Sequence, residues 1–485
     1  MKLIVGLTAV LLTAFAFISQ MQTVASLSSQ GGCCLIYLPI ITKPVTADLT
    51  ITGVEITQAI QKANNSIPLV ANRNTVVRVF AEAPVSGPIN NVVVRLTAVR
   101  GASTIGTLNS APITIPVDAT RDSFNSTVNF ELPSGWLTGN VSLTATIDPD
   151  NSIPEANEGN NTVTQAMNFN DVPDLQIRIV PINYTHTGPT APGFYPAQSV
   201  DYISDWLMRA YPIDNVQITI RSPYNFTGNL QDAFYWQNGA TGLLDHMYEL
   251  KLADGFPEDT PVVYYAFVPI SNGSTQWFNS GIAGIGWIGY RESVGLNLMG
   301  YGTDVDATGK LAGHEIGHNM GRRHAPCGNP GGPDPSYPYA GASIGEYGLD
   351  IPNGVFWSPA TAVDIMSYCE PAWISDYTYI GLYNDQRANG LAALPGTAVD
   401  SMIVSASLSD EGVVTLAPSY AFASYPSTGA SSDYRVELLD ESGDVLVSQP
   451  MQLREAEEDE AWGRMLTAVL PLPSKATATL RIMHG

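Results

Sequence analysis

The chain has 485 residues, with 45 Asp and Glu against 22 Lys and Arg, for a net charge of -23. That length exceeds a single hydrophobic core and implies roughly three domains. So acidic a chain is repelled by nucleic acid and by anionic membrane surfaces, which excludes nucleic acid as an expected partner.

The N-terminus places Lys2 before an apolar run from Leu3 to Ile18, with small residues near Ala25. This reads as a secretory signal peptide over residues 1–25. The run falls just short of a full membrane span, so an uncleaved anchor is the competing reading. The mature chain is expected to be secreted or surface-associated, without a span. Residues 26–47 read as a linker carrying Cys33 and Cys34, to which the sequence assigns no role.

From Asp48 to about Asn170, segments such as "NTVVRVFAEA" and "GNVSLTATID" alternate β-branched and polar residues between Gly, Pro and Asn. Short strands at that spacing predict an antiparallel sandwich over 48–170. The "IPEANEGNN" corner followed by a strand resembles the adhesion-related, immunoglobulin-like domains of exported microbial proteins. The resemblance implies contact with a surface or a carbohydrate. The acidic loop Asp148–Asn151 offers oxygens to Ca2+, although a solvated turn explains it as well.

Residues 171–395 change texture. "DLQIRIVPINY", "NVQITIR" and "PVVYYAFVPI" read as strands, and "GIAGIGWIGYRESVGLNL" as a Gly-rich strand pair. "PAQSVDYISDWLMRAYP" carries Val200, Ile203, Leu207 and Met208 at helical spacing, and "TGLLDHMYELKLADG" predicts a helix ending at Gly255.

Next comes "GHEIGHNMGRRHAPCG". Three of the chain's six histidines fall here, at His314, His318 and His324. Residues four apart share one helical face, so His314 and His318 stand one turn apart, with Glu315 beside the first. In H-E-x-x-H the two His bind zinc and the Glu is general base. Asp306 or Thr308 is placed to cap the helix. Gly321 stands where the chain must turn, because only Gly takes positive φ without steric cost. His324 then completes a tripod that leaves one tetrahedral position open.

The full H-E-x-x-H-x-x-G-x-x-H pattern, followed by "DIMSY" at 364–368, resembles the metzincin zinc peptidases. The resemblance implies that Met366 is the Met-turn methionine beneath the metal. It also implies that Tyr368 approaches the zinc and the substrate oxyanion, as in astacins and serralysins. It brings the segment after the third His against the Met-turn, so Cys327 and Cys369, at matched offsets, are expected to pair. It places an edge strand at the upper rim of the cleft, assigned to Gly284, Ile285, Gly286 and Trp287, and "CEPAWISDYTY" (369–379) in the pocket wall. Ala325 and Pro326 after the third His match no familiar subfamily signature.

Strand patterns return from residue 396 and predict a second sandwich over 396–485, open to being incomplete because the chain stops on a strand at "RIMHG". The expected fold is multidomain: an α/β metzincin-like catalytic domain flanked by two all-β sandwich domains. The expected function is a secreted zinc endopeptidase acting on a protein or peptide substrate. The competing one is a non-catalytic surface adhesin or binding protein whose metal site is inert or structural.

Overall fold

The computed structural model describes residues 47–485, except 86, 187–196, 238–241, 271–276, 279–280, 300–301, 390–398, 410, 418, 425–431 and 456–463. The expected signal peptide, nearly all of the linker, Cys33, Cys34 and the boundary at 395/396 lie outside the described residues.

The first unit is a sandwich. One sheet pairs Thr50–Thr57, Val76–Glu82 and Val128–Glu131. The other orders Leu69–Val70, Thr162–Asn170, Gly139–Ile147, Val94–Arg100 and Ser103–Asn109. Alternate residues of Val94–Arg100 and Gly139–Ile147 are buried, which is the period of two that buries one face of a strand. Val77, Val79, Leu96, Leu143 and Trp136 meet between the sheets.

The middle of the chain builds a six-stranded mixed sheet. Leu175–Tyr184 lies parallel to Val216–Ile220, Tyr224–Phe226 and Val263–Pro269, and Val263–Pro269 is parallel to Glu292–Asn297. Gly284–Gly286 closes one edge, antiparallel to Glu292–Asn297. Among the described residues five α-helices accompany it: α1 (Ala197–Ala210), α2 (Phe234–Gln237), α3 (Leu243–Ala253), α4 (Ala307–Asn319) and α5 (Asp376–Asn389). In α1, Ile203 and Leu207 are buried as their spacing predicts, while the spacing passed over Trp206, which is 1% exposed. The α4 helix packs on α1 and on Glu292–Asn297.

The third unit sets two sheets face to face. Val414–Leu416, Val399–Leu408, Arg464–Pro471 and Gln452–Glu455 form one, with Tyr420–Ser424 also paired to Val399–Leu408, and Val445–Pro450, Tyr434–Leu439 and Thr479–His484 form the other.

The expected fold class is corrected here. The molecule is mostly β and made of many sheets, so the α/β metzincin-like class does not describe it. Helical periodicity in a few segments was weighted over the long stretch between α4 and α5. That stretch holds turns, a single 3-10 turn at Ala340–Ala342 and strands of two or three residues, such as Gly348–Asp350, Val355–Trp357 and Val363–Asp364. Short strands without alternation leave no periodic signal to set against a helix.

The units share cores. Ala59, Ile60 and Ile67 of the first join Trp206, Ile316 and Met366 in one cluster. Ile403, Met465 and Val469 of the third join Leu244, Trp287 and Val294 in another.

Candidate metal centre

His314 and His318 project from α4, and the helix ends at Met320. Gly321 follows at φ 77°, the left-handed turn expected of it, and the chain then brings His324 back. Asp306 occupies the N-cap position but makes no side-chain cap bond. Its carboxylate pairs instead with Arg209 at 2.9 Å, so the capping expectation is corrected.

The three imidazoles converge, with one ligand atom from each all within 4.8 Å of one another. Every Nδ1 lies 2.8 Å from a main-chain carbonyl: Ile365 for His314, Arg322 for His318 and Gly331 for His324. A carbonyl only accepts, so each Nδ1 carries the proton and each Nε2 presents a lone pair. Nε2 of His314 and Nε2 of His324 stand 3.2 Å apart. Two lone pairs so close repel unless a cation sits between them, and two nitrogens on a tetrahedral zinc stand roughly 3.3 Å apart. The donor set therefore fits a zinc-sized ion. Burial pushes His314 down to about 4 and, aided by His314, His324 down to about 3. Burial and the charges of both partners hold His318 well below its usual value. All three are neutral near pH 7, the form that ligates.

Met366 packs against α4 from beneath. A Cβ added to Gly317 would lie 2.5 Å from its sulfur, so the glycine beside His318 is required by that close approach. The buried carboxylate of Asp364 accepts from the amides of Met366 and Ser375 at 2.7 and 2.9 Å. The segment after the third His runs beside this turn, with Ala325 N donating to Met366 O and Tyr368 N to Cys327 O. Cys327 and Cys369 form a disulfide with Cα atoms 5.7 Å apart. The Tyr368 ring is 45% exposed, 4.9 Å from the His324 ring and 5.8 Å from that of His314.

His314, Glu315 and Tyr368 border a cleft of about 380 Å³, which Leu298, Leu311 and Lys310 also line. Lys310 pairs with Asp304 at 2.8 Å and Glu370 at 3.3 Å. Of the four expected rim residues only Gly284 lines the cleft, where a side chain would collide with the Glu315 carboxylate. Ile285 and Trp287 are core residues, and Gly286 lies against the Glu315 carbonyl. Residues 281–283 take their place at the rim. From the expected pocket wall at 369–379, Cys369, Glu370 and Ala372 line the cleft, while Trp373 and Ile374 are core and Asp376 begins α5.

Sequence reasoning missed the three supporting carbonyls, because a main-chain acceptor has no residue-type signal. It also missed Asp364, although that residue stands inside the quoted "DIMSY". In the acidic loop weighed for calcium, the Asp148 carboxylate is committed to its own turn through Ser152 and Ile153, and Asp150 pairs with Arg95.

Comparison with known proteins speaks to the first unit. Residues 105–165 match the CARDB family model. The chain thus carries a CARDB domain, an immunoglobulin-like, adhesion-related sandwich. Among solved structures, a CARDB domain from Pyrococcus furiosus in complex with di-metal ions is 19% identical. That match covers 26% of this chain and 97% of the other, with a TM-score of 0.19. A domain of a presumed cell-surface protein from Methanosarcina acetivorans is 16% identical over 26% of this chain and 93% of its own, with a TM-score of 0.18. A Paenibacillus cycloisomaltooligosaccharide glucanotransferase is 13% identical over 46% of this chain and 28% of its own, with a TM-score of 0.19. The search of curated proteins returned no match. Among the described residues no helix is long and apolar enough to cross a membrane.

Proposed function

We propose that the protein is a secreted zinc-dependent endopeptidase. The observation that carries this reading is the convergence of three Nε2 lone pairs, each fixed by a carbonyl on Nδ1, beside Glu315 at the wall of an open cleft. The metzincin-like motif at 314–324 with Met366 beneath it is a second support. His314, His318 and His324 would hold the zinc ion, which when bound would supply Lewis acidity at the cleft and lower the pKa of a nearby water. Glu315 accepts the proton from the attacking water and delivers it to the leaving amine. The Tyr368 phenol donates to the oxyanion of the tetrahedral state. The outer edge of Gly284–Gly286 offers main-chain groups to an extended peptide.

Cleavage of casein by the purified full-length protein, lost to a chelator and restored by zinc, is the expected result. Glu315→Gln should bind zinc as the wild type does and turn over almost nothing, and a Gln variant that retained most activity would remove the general-base assignment. Tyr368→Phe should keep zinc and slow turnover by roughly 10–10³-fold.

The CARDB match favours a second reading: a surface-binding protein, acting on a cell surface or a carbohydrate, whose metal site is inert. Zinc bound at one equivalent with no cleavage across a diverse peptide library would decide for it.

A further inference from the structure

The loop between the edge strand and Glu292–Asn297 is held from two sides. On one side it grips the end of α4. Gly289 N donates to His318 O at 2.9 Å, and the Arg291 guanidinium donates to Asn319 O at 2.8 Å. Asn319 Nδ2 in turn donates to Trp287 O at 3.1 Å and Glu292 O at 2.7 Å. On the other side the loop is bonded to Gln452–Glu455, a strand of the third unit. Ile288 N donates to Glu455 O at 3.0 Å and the Tyr290 hydroxyl to Leu453 O at 2.8 Å.

Arg454 stands at the centre of this junction with no exposed surface. Its guanidinium reaches Glu292 at 2.6 Å and also bonds Glu258. Its Cζ lies over two rings, 3.8 Å from the centroid of Tyr248 and 4.1 Å from that of Tyr290. Lys251 occupies the other oxygen of Glu292 at 3.2 Å. Two cations and two carboxylates thus balance inside the protein, and the third unit supplies one of the cations. A single strand of that unit therefore fixes both the charge and the backbone position of the loop that holds the carbonyl of His318.

We propose that Arg454 is a positioning residue for the metal centre, acting through Glu292 and the 287–292 loop on the end of α4, so that the third unit is part of the site's framework. This rests on the reading of the histidine tripod as a metal site. It does not need the peptidase reading.

The test uses the full chain and cobalt(II) as probe, because cobalt reports ligand geometry in its visible spectrum. Arg454→Met should weaken cobalt binding at least tenfold, measured by chelator competition, and change the intensity of the visible bands. Arg454→Lys keeps a charge between the carboxylates and loses the fork, so it should fold even where the Met variant does not. It should show a smaller change of the same kind. Wild-type affinity and spectrum in a folded variant would overturn the proposal. So would weaker binding with an unchanged spectrum, which global destabilisation alone produces. A wild-type protein that binds cobalt and cleaves nothing removes the peptidase reading and leaves this one standing.

Discussion

Arg73 and Arg454 each carry a flanking β unit into the middle of the molecule, and they are satisfied in opposite ways. Arg73, 4% exposed, donates to the carbonyls of Met208 and Ile213 at 2.6 and 2.8 Å and of Arg209 at 2.7 Å. Met208 and Arg209 lie in the last turn of α1, where carbonyls lack intrahelical partners and the helix end is negative. Arg454 meets formal charges instead, on Glu292 and Glu258. A cation on dipoles leaves neutral groups behind when removed, whereas a cation among carboxylates leaves a buried charge. The first seam can therefore loosen at modest cost. The second is close to all-or-none, and it is the one whose bonds reach the end of α4, the helix that carries His314 and His318.

Four variants measure that contrast. Glu292→Ala should cost the most, about 3–5 kcal/mol, since Lys251 loses its carboxylate and Arg454 one of two. The urea midpoint should fall with the slope unchanged, and a loss smaller than that of Arg73→Met would erase the distinction between the seams. Replacing Cys327 and Cys369 by Ser opens a covalent link that lies in neither seam and spans a sequence separation of 42. It should cost about 3–4 kcal/mol in the chain-entropy model and weaken zinc retention, because the bond ties the segment after His324 to the Met366 turn. Unchanged zinc retention in a folded Ser variant would confine the disulfide to stability. Arg73→Met should cost about 2–3 kcal/mol, the scale of carbonyls left unmet, and leave metal affinity as it was. Altered metal affinity there would show that the first seam also reaches the tripod. Smallest of all is Lys62→Met at the rim of the first seam, where Lys62 pairs with Asp376 at 2.8 Å and is one-third exposed. Because Asp376 is itself 2% exposed, its carboxylate loses a partner inside the protein, and the loss should reach about 1–2 kcal/mol and shrink only in part in high salt; thermal melts at low and high ionic strength would show whether it does.

The histidine tripod was legible because helical spacing and one glycine turn keep all its ligands within eleven residues. The first sandwich was legible from alternation, and residues 105–165 are the part that matches a family. The fold class of the whole was misread, since the segment from Gly321 to Ser375 is held by turns, a disulfide and side-chain staples such as Asp364 rather than by periodic elements. The rim of the cleft was misplaced by a few residues. In a short edge strand, neighbours point to opposite faces, and nothing local says which face is the cleft.

From its order of residues alone this protein carries its histidine cluster, the turn that joins its members and the texture of its β units, because each depends on neighbours a few positions apart. The tertiary structure decided how those ligands are held. The carbonyls that orient the imidazoles come from Ile365, Arg322 and Gly331, and main-chain atoms are the same in every residue type. Arg454 and Glu292 are 162 positions apart, and only long-range packing could bring two charges from that distance into one buried site, where each is stable only in the presence of the other.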